Sequence, residues 1–120
     1  MDGLGARVDA VRVASVEGRA TNVAFAIKPL VAGEAMSLLE MNCPAGLRVP
    51  THTHAHESLL YVVRGVIKTQ IGDKSYVLRA GDACRHPKDT PHTVEVLEDC
   101  TFVEIKSPAI DFAAVFGKPV

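Results

Sequence analysis

The sequence predicts an all-β domain, a small sandwich or barrel, and two observations carry that prediction. Short apolar and β-branched runs recur between Gly, Pro, Asn and Asp at intervals of about 8 to 12 residues. The segment Ile71-Gly72-Asp73-Lys74 places a Gly-Asp pair between two such runs, and that pair supplies the positive φ that a two-residue I′ or II′ hairpin loop requires.

Taken in order, strands are expected near Ala10–Ala14, Val23–Leu30 and Ala35–Asn42, the last running up to Pro44. Arg48–His54 follows Gly46, and Leu59–Val63 and Val66–Ile71 flank Gly65. Ser75–Arg79 leaves the hairpin, Ala83–His86 lies between Gly81 and Pro87, Thr93–Leu97 follows Pro91, and Thr101–Lys106 stops before Pro108. Helix is expected to be scarce. Ala109 to Phe116 has room for a turn or two, but Val115 and Phe116 form no apolar stripe with caps.

A chain of 120 residues is enough for one core and too short for a separate catalytic module, so one domain over residues 1–120 is expected. With 48% hydrophobic residues, 22% charged residues and a net charge of -1, the balance is globular rather than disordered or fibrous. Lys and Arg are scattered without a run, which argues against nucleic acid as a partner. The start, Met1-Asp2-Gly3-Leu4-Gly5-Ala6-Arg7, has no apolar leader region, and no later stretch approaches the roughly 18 uncharged apolar residues of a membrane span. A cytoplasmic setting is therefore expected, in which Cys43, Cys84 and Cys100 stay reduced thiols.

All five histidines fall between His52 and His92. Alternate positions on a strand point the same way, so His52-x-His54 delivers two imidazoles to one face, and a neighbouring strand must bring the third, His92. Such a set suits a divalent transition metal: Fe, Mn, Ni or Zn. Because the rings must be neutral to ligate, affinity is expected to fall as pH drops below about 6.5.

With strands and histidines placed, the chain resembles the cupin family at two motifs. The first reads G-x5-H-x-H-x3-4-E-x6-G, and Gly46, His52, His54 and Gly65 match it within PTHTHAHESLLYVVRG. Ser58 stands where the family usually has Glu, or Gln in some small single-domain members, and Glu57 is one residue early. The second reads G-x5-P-x-G-x2-H-x3-N, and Gly81, Pro87 and His92 match it within GDACRHPKDTPHTVEV, with Asp89 replacing the glycine and Val96 the asparagine. The motifs lie about sixteen residues apart.

The resemblance implies a double-stranded β-helix, a small jelly-roll barrel with a pocket between its sheets. It implies His52, His54 and His92 as the metal ligands, and a homodimer in which the N-terminal segment, about residues 1–30, packs at the barrel edge or the dimer interface. Pro87 and Pro91 are expected to hold a rigid turn ahead of His92.

Other residues are candidates for the pocket. His56 belongs to the turn after His54, while His86 and Cys84 share strand parity and either face the pocket or pack in the sheet. Cys84 beside His86 or His92 suggests a thiol nucleophile only where a base or cation lowers its pKa. Arg48, with the nominal parity of His52, is a candidate clamp for a carboxylate, and a backbone bulge would bring Glu57 inward as a ligand. Without a carboxylate at position 58 the charge of the ion is uncompensated, which favours a small anionic or sugar-derived ligand.

By resemblance two reaction classes follow: isomerase- or lyase-like chemistry, as in small cupins acting on unsaturated uronates, and dioxygenase chemistry, as in three-histidine cupins. The alternative from another class is a non-catalytic module that binds or senses a small ligand.

Overall fold

The computed structural model describes residues 3–116. Two ends of the expected 1–120 domain, residues 1–2 and 117–120, lie outside the described residues. A short 3-10 turn at Gly5–Arg7 leads into eight strands among the described residues: β1 (Val11–Val16), β2 (Arg19–Ala32), β3 (Ser37–Cys43), β4 (Arg48–His52), β5 (Glu57–Ile71), β6 (Lys74–Arg79), β7 (Ala83–His86) and β8 (His92–Ser107). All their pairings are antiparallel.

Two long strands make the barrel. The first half of β5 lies between the end of β8 and β7, and its second half between the start of β8 and β6. β8 in turn pairs with β4 through its first half and with β3 through its second. Each long strand therefore serves both sheets, the jelly-roll arrangement expected from the motifs. The strands expected from the sequence break after Val63 and Leu97. The chain instead continues through bulges between Val62 and Ile67, which bend β5 from one sheet to the other.

Gly65 is what allows that bend. Its φ is 86°, and a Cβ there would collide with the backbone of Asp99 and Cys100 on β8. Across the bulge the inward phase changes from Ser58, Leu60 and Val62 to Ile67 and Thr69. The hairpin after it forms as expected, with Ile71 opposite Lys74 and Gly72 at φ 60°. Asp73 is not in the left-handed region, so the loop follows the II′ pattern.

The core gathers Phe25, Ile27, Leu39, Met41, Leu60, Val62, Ile67, Val96 and Phe102 from the inner faces. A five-residue helix, α1 (Phe112–Phe116), follows β8. Its cap was missed in the sequence: Asp111 Oδ1 accepts from the backbone N–H of Ala113 and of Ala114, at 3.0 and 3.2 Å. No helix among the described residues is long and apolar enough to cross a membrane.

Candidate metal centre

His52 closes β4 and His92 opens β8, and the two are direct cross-strand partners. Their ring centroids lie 4.2 Å apart, and the ring of His54 is 4.8 Å from His92 and 5.6 Å from His52. All three residues are buried, and one ring nitrogen of each lies within 4.8 Å of the others. The loop carrying the second motif is tied to the first, since Asp89 N–H donates to the His54 carbonyl at 3.0 Å. Asp89, which stands where the motif has glycine, has φ 59°, a left-handed conformation that glycine adopts freely and aspartate tolerates better than most side chains.

Hydrogen bonds sort the five histidines into two groups. Nδ1 of His52 lies 2.8 Å from Pro50 O, Nδ1 of His54 2.9 Å from His56 O, and Nδ1 of His92 3.1 Å from Thr90 O. A carbonyl only accepts, so each Nδ1 must carry the proton, which leaves Nε2 as a lone pair on all three rings. This is the outer-partner pattern of metal-binding histidines.

His56 and His86 are committed elsewhere. Lys106 Nζ donates to His56 Nε2 at 3.1 Å, and His56 stacks on His54 at 3.9 Å. The Thr69 hydroxyl gives its proton to Thr93 O at 2.8 Å, so at 2.9 Å it must accept from His86 Nε2–H. His86, 2% exposed, stacks flat on His92 at 4.1 Å and so backs that ring.

Burial drives the electrostatics. It pushes the pKa of His92 down to about 3, helped by the neighbouring His86, and that of His86 down to about 4. His56 falls to about 4 through burial and the Lys106 ammonium, and His54 is lowered mainly by burial. Of the proposed ligands, His54 and His92 are thus held neutral, the form that ligates. Burial also raises Cys84 to about 11, aided by Glu104, so the thiol nucleophile considered from sequence has no support here.

Two pocket candidates are corrected. Glu57 faces outward, where its carboxylate pairs with Arg85 at 2.7 Å, and no bulge at 57 turns it inward. Ser58 takes the inner position instead and is fully buried. Arg48 loses the parity of His52 because β4 carries one extra residue between Val49 and His52, so Val49 and His52 point in while Arg48 is exposed.

Glu104 and Lys106 were not foreseen. Both lie on the inner face of the second half of β8, in phase with Phe102, and Lys106 Nζ is 2.7 Å from Glu104 Oε2. Burial alone would raise the pKa of Glu104, yet the ammonium of Lys106 holds it below the usual carboxylate value. Their signal was alternation: Phe102, Glu104 and Lys106 share one face of a strand.

A cavity of about 530 Å³ joins these groups to the apolar interior. His52, His54, His56, His86, His92, Glu104 and Lys106 form its polar pole. Three neutral imidazoles with free Nε2 atoms fit a divalent transition metal, and a missing fourth protein ligand leaves positions open.

The family model described as Cupin_2, cupin domain, matches residues 39–106. No curated protein matches the chain. Among solved structures, KdgF from Halomonas sp. is similar with a TM-score of 0.69 and 25% identity, over 72% of this chain and 81% of that one. A predicted oxalate decarboxylase from Thermotoga maritima has a TM-score of 0.77 at 19% identity, covering 90% and 99%. An RmlC-like cupin from Shewanella frigidimarina has a TM-score of 0.73, also at 19% identity, covering 90% of each chain. At 19% identity the likeness speaks for the fold alone.

Proposed function

The chain belongs to the cupin family, matching the Cupin_2 domain over residues 39–106, and from that premise we propose that it holds one divalent transition ion on His52, His54 and His92 and binds a small anion beside it. The observation that carries this reading is the set of three Nδ1–H bonds to carbonyls, which leave Nε2 as the free ligand atom on three buried, clustered rings. When bound, such an ion supplies Lewis-acid polarisation or, as iron, redox chemistry at its open positions. Isomerase- or lyase-like proton transfer and dioxygenase chemistry are the reaction classes this reading retains.

The protein's own groups hold and orient. The carbonyls of Pro50, His56 and Thr90 fix the tautomers and ring orientations, His86 backs His92, and the Lys106–Glu104 pair sets the charge at the same pole. A ligand-binding module without turnover is the second reading. It is favoured by the commitment of His56, His86 and Lys106 to one another's neighbours, which leaves few free acid–base groups.

Elemental analysis of protein purified without added metal tests the reading. About one ion per chain is the expected result, and metal-free protein that takes up none on loading overturns it. An oxygen-consumption and turnover screen with small carboxylates then separates the two readings, since metal without turnover on any of them favours the binding module.

One domain over residues 1–120 and a homodimer with residues 1–30 at its interface belong to the same proposal. Its support is that β1 stands at the edge of its sheet among the described residues, with backbone groups open to pairing. Sedimentation showing a monomer at working concentration would reject the dimer.

A further inference from the structure

We infer that the ligand is a monocarboxylate with an apolar body, not a polyhydroxylated sugar acid; this rests on the metal-centre reading for the carboxylate end and on the cavity walls for the rest. The cavity of about 530 Å³ is divided by chemistry. Beyond the histidine pole its lining is carbon and sulfur, supplied by residues such as Phe25, Ile27, Met41 and Phe102 of the barrel and Ile110 and Phe116 of the segment after β8. Ser15 and Glu17, both exposed at the end of β1 and in the turn beyond it, are the sole polar side chains in that part of the lining among the described residues.

A sugar acid needs a partner for each hydroxyl it buries, because a buried hydroxyl without one loses its bonds to water uncompensated. The walls offer only Ser15 and Glu17, both exposed. The polar pole adds little to them, since Lys106 already serves Glu104, His56 and Ser58 and His86 already serves Thr69, which leaves Glu104 Oε2, ion-paired with Lys106 but without a hydrogen bond, as one acceptor there for the several hydroxyls of a sugar acid. An alkyl or aryl body gains from the same walls by leaving water. At the pole, with Ser58 in place of a carboxylate ligand, the charge of the ion falls to the ligand's own carboxylate to balance.

Calorimetric titration of the full-length, zinc-loaded chain with octanoate and with galacturonate tests the inference, with zinc content measured on the same sample. The two probes share a carboxylate and differ in the body. Octanoate is expected to bind at least about tenfold tighter, a margin that two buried methylenes suffice to give. Met41→Gln is expected to weaken octanoate several-fold at unchanged zinc content. Val16→Asn, at a half-buried wall position on β1, is a second variant should Met41→Gln not fold.

Galacturonate binding as tightly as octanoate, or octanoate affinity untouched by both variants, overturns the inference while leaving the metal centre standing. A sample that takes up no zinc overturns the metal-centre reading instead, and the octanoate preference still decides the apolar chamber by itself.

Discussion

Lys106 Nζ lies 3.3 Å from the Ser58 hydroxyl, its direct cross-strand partner between β8 and β5. Position 58 is where the first motif usually carries a carboxylate, so an ammonium stands beside the place of the missing ligand. Lys106 also donates to His56 and is ion-paired with Glu104, so its ammonium is held inside the pocket on three sides.

This geometry predicts that Ser58→Glu alone leaves metal affinity nearly unchanged, because the new carboxylate meets Lys106 first. Combined with Lys106→Met, the same substitution is expected to tighten zinc binding about tenfold, a coupling of about 1.4 kcal/mol between neighbouring residues. Competition titration against a chromogenic chelator reads the four affinities of the cycle. Equal tightening by Ser58→Glu with and without Lys106 would refute the relationship.

His54→Ala and His92→Ala are each expected to remove most of the bound metal while the all-β circular dichroism persists. Losing a ligand should cost more than the roughly tenfold to hundredfold effect of disturbing a supporting partner. Full metal occupancy in both variants would reject the assignment.

Much of this is legible in the sequence. Period-2 alternation and turn residues located the strands, and the two motifs brought His52, His54 and His92 together from separate stretches. What escaped was set by tertiary structure. The extra residue in β4 reverses the parity of Arg48, and nothing local announces a bulge. Glu104 and Lys106 read as solvated charges until β8 is seen to run on through the irregular stretch from Leu97 to Thr101, where alternation lapses, and to resume it with Phe102, Glu104 and Lys106 on the inner face.

Arg48→Ala and Glu57→Gln are expected to leave metal content and anion binding unchanged. Arg48 sits outside the cavity that holds the histidines, and the Glu57–Arg85 pair is open to water, with side chains 44% and 62% exposed. Pairs of that kind contribute about 0 to 1 kcal/mol, so the urea midpoint of Glu57→Gln should move little. A large loss of metal in Glu57→Gln would restore that residue to the site.

The thiols give a prediction at the other end of the pH scale. Burial raises Cys43 to about 12, with Cys100 and Glu104 adding to it, and raises Cys100 to about 11. Because the thiolate is the reactive form, iodoacetamide at pH 8 should label both far more slowly in the native protein than in urea. The raised values also bear on stability. Above the ordinary thiol value of 9.0 the unfolded chain loses its thiol protons first, so the folded state holds more protons and is destabilised as pH climbs from about 9 towards 11 or 12. The stabilisation is thus fully present below pH 9 and lost above it. Urea midpoints at pH 8 and 10.5 should fall less in Cys43→Ala than in the parent chain, and an equal fall in both would show that the Cys43 thiol does not contribute to alkaline unfolding.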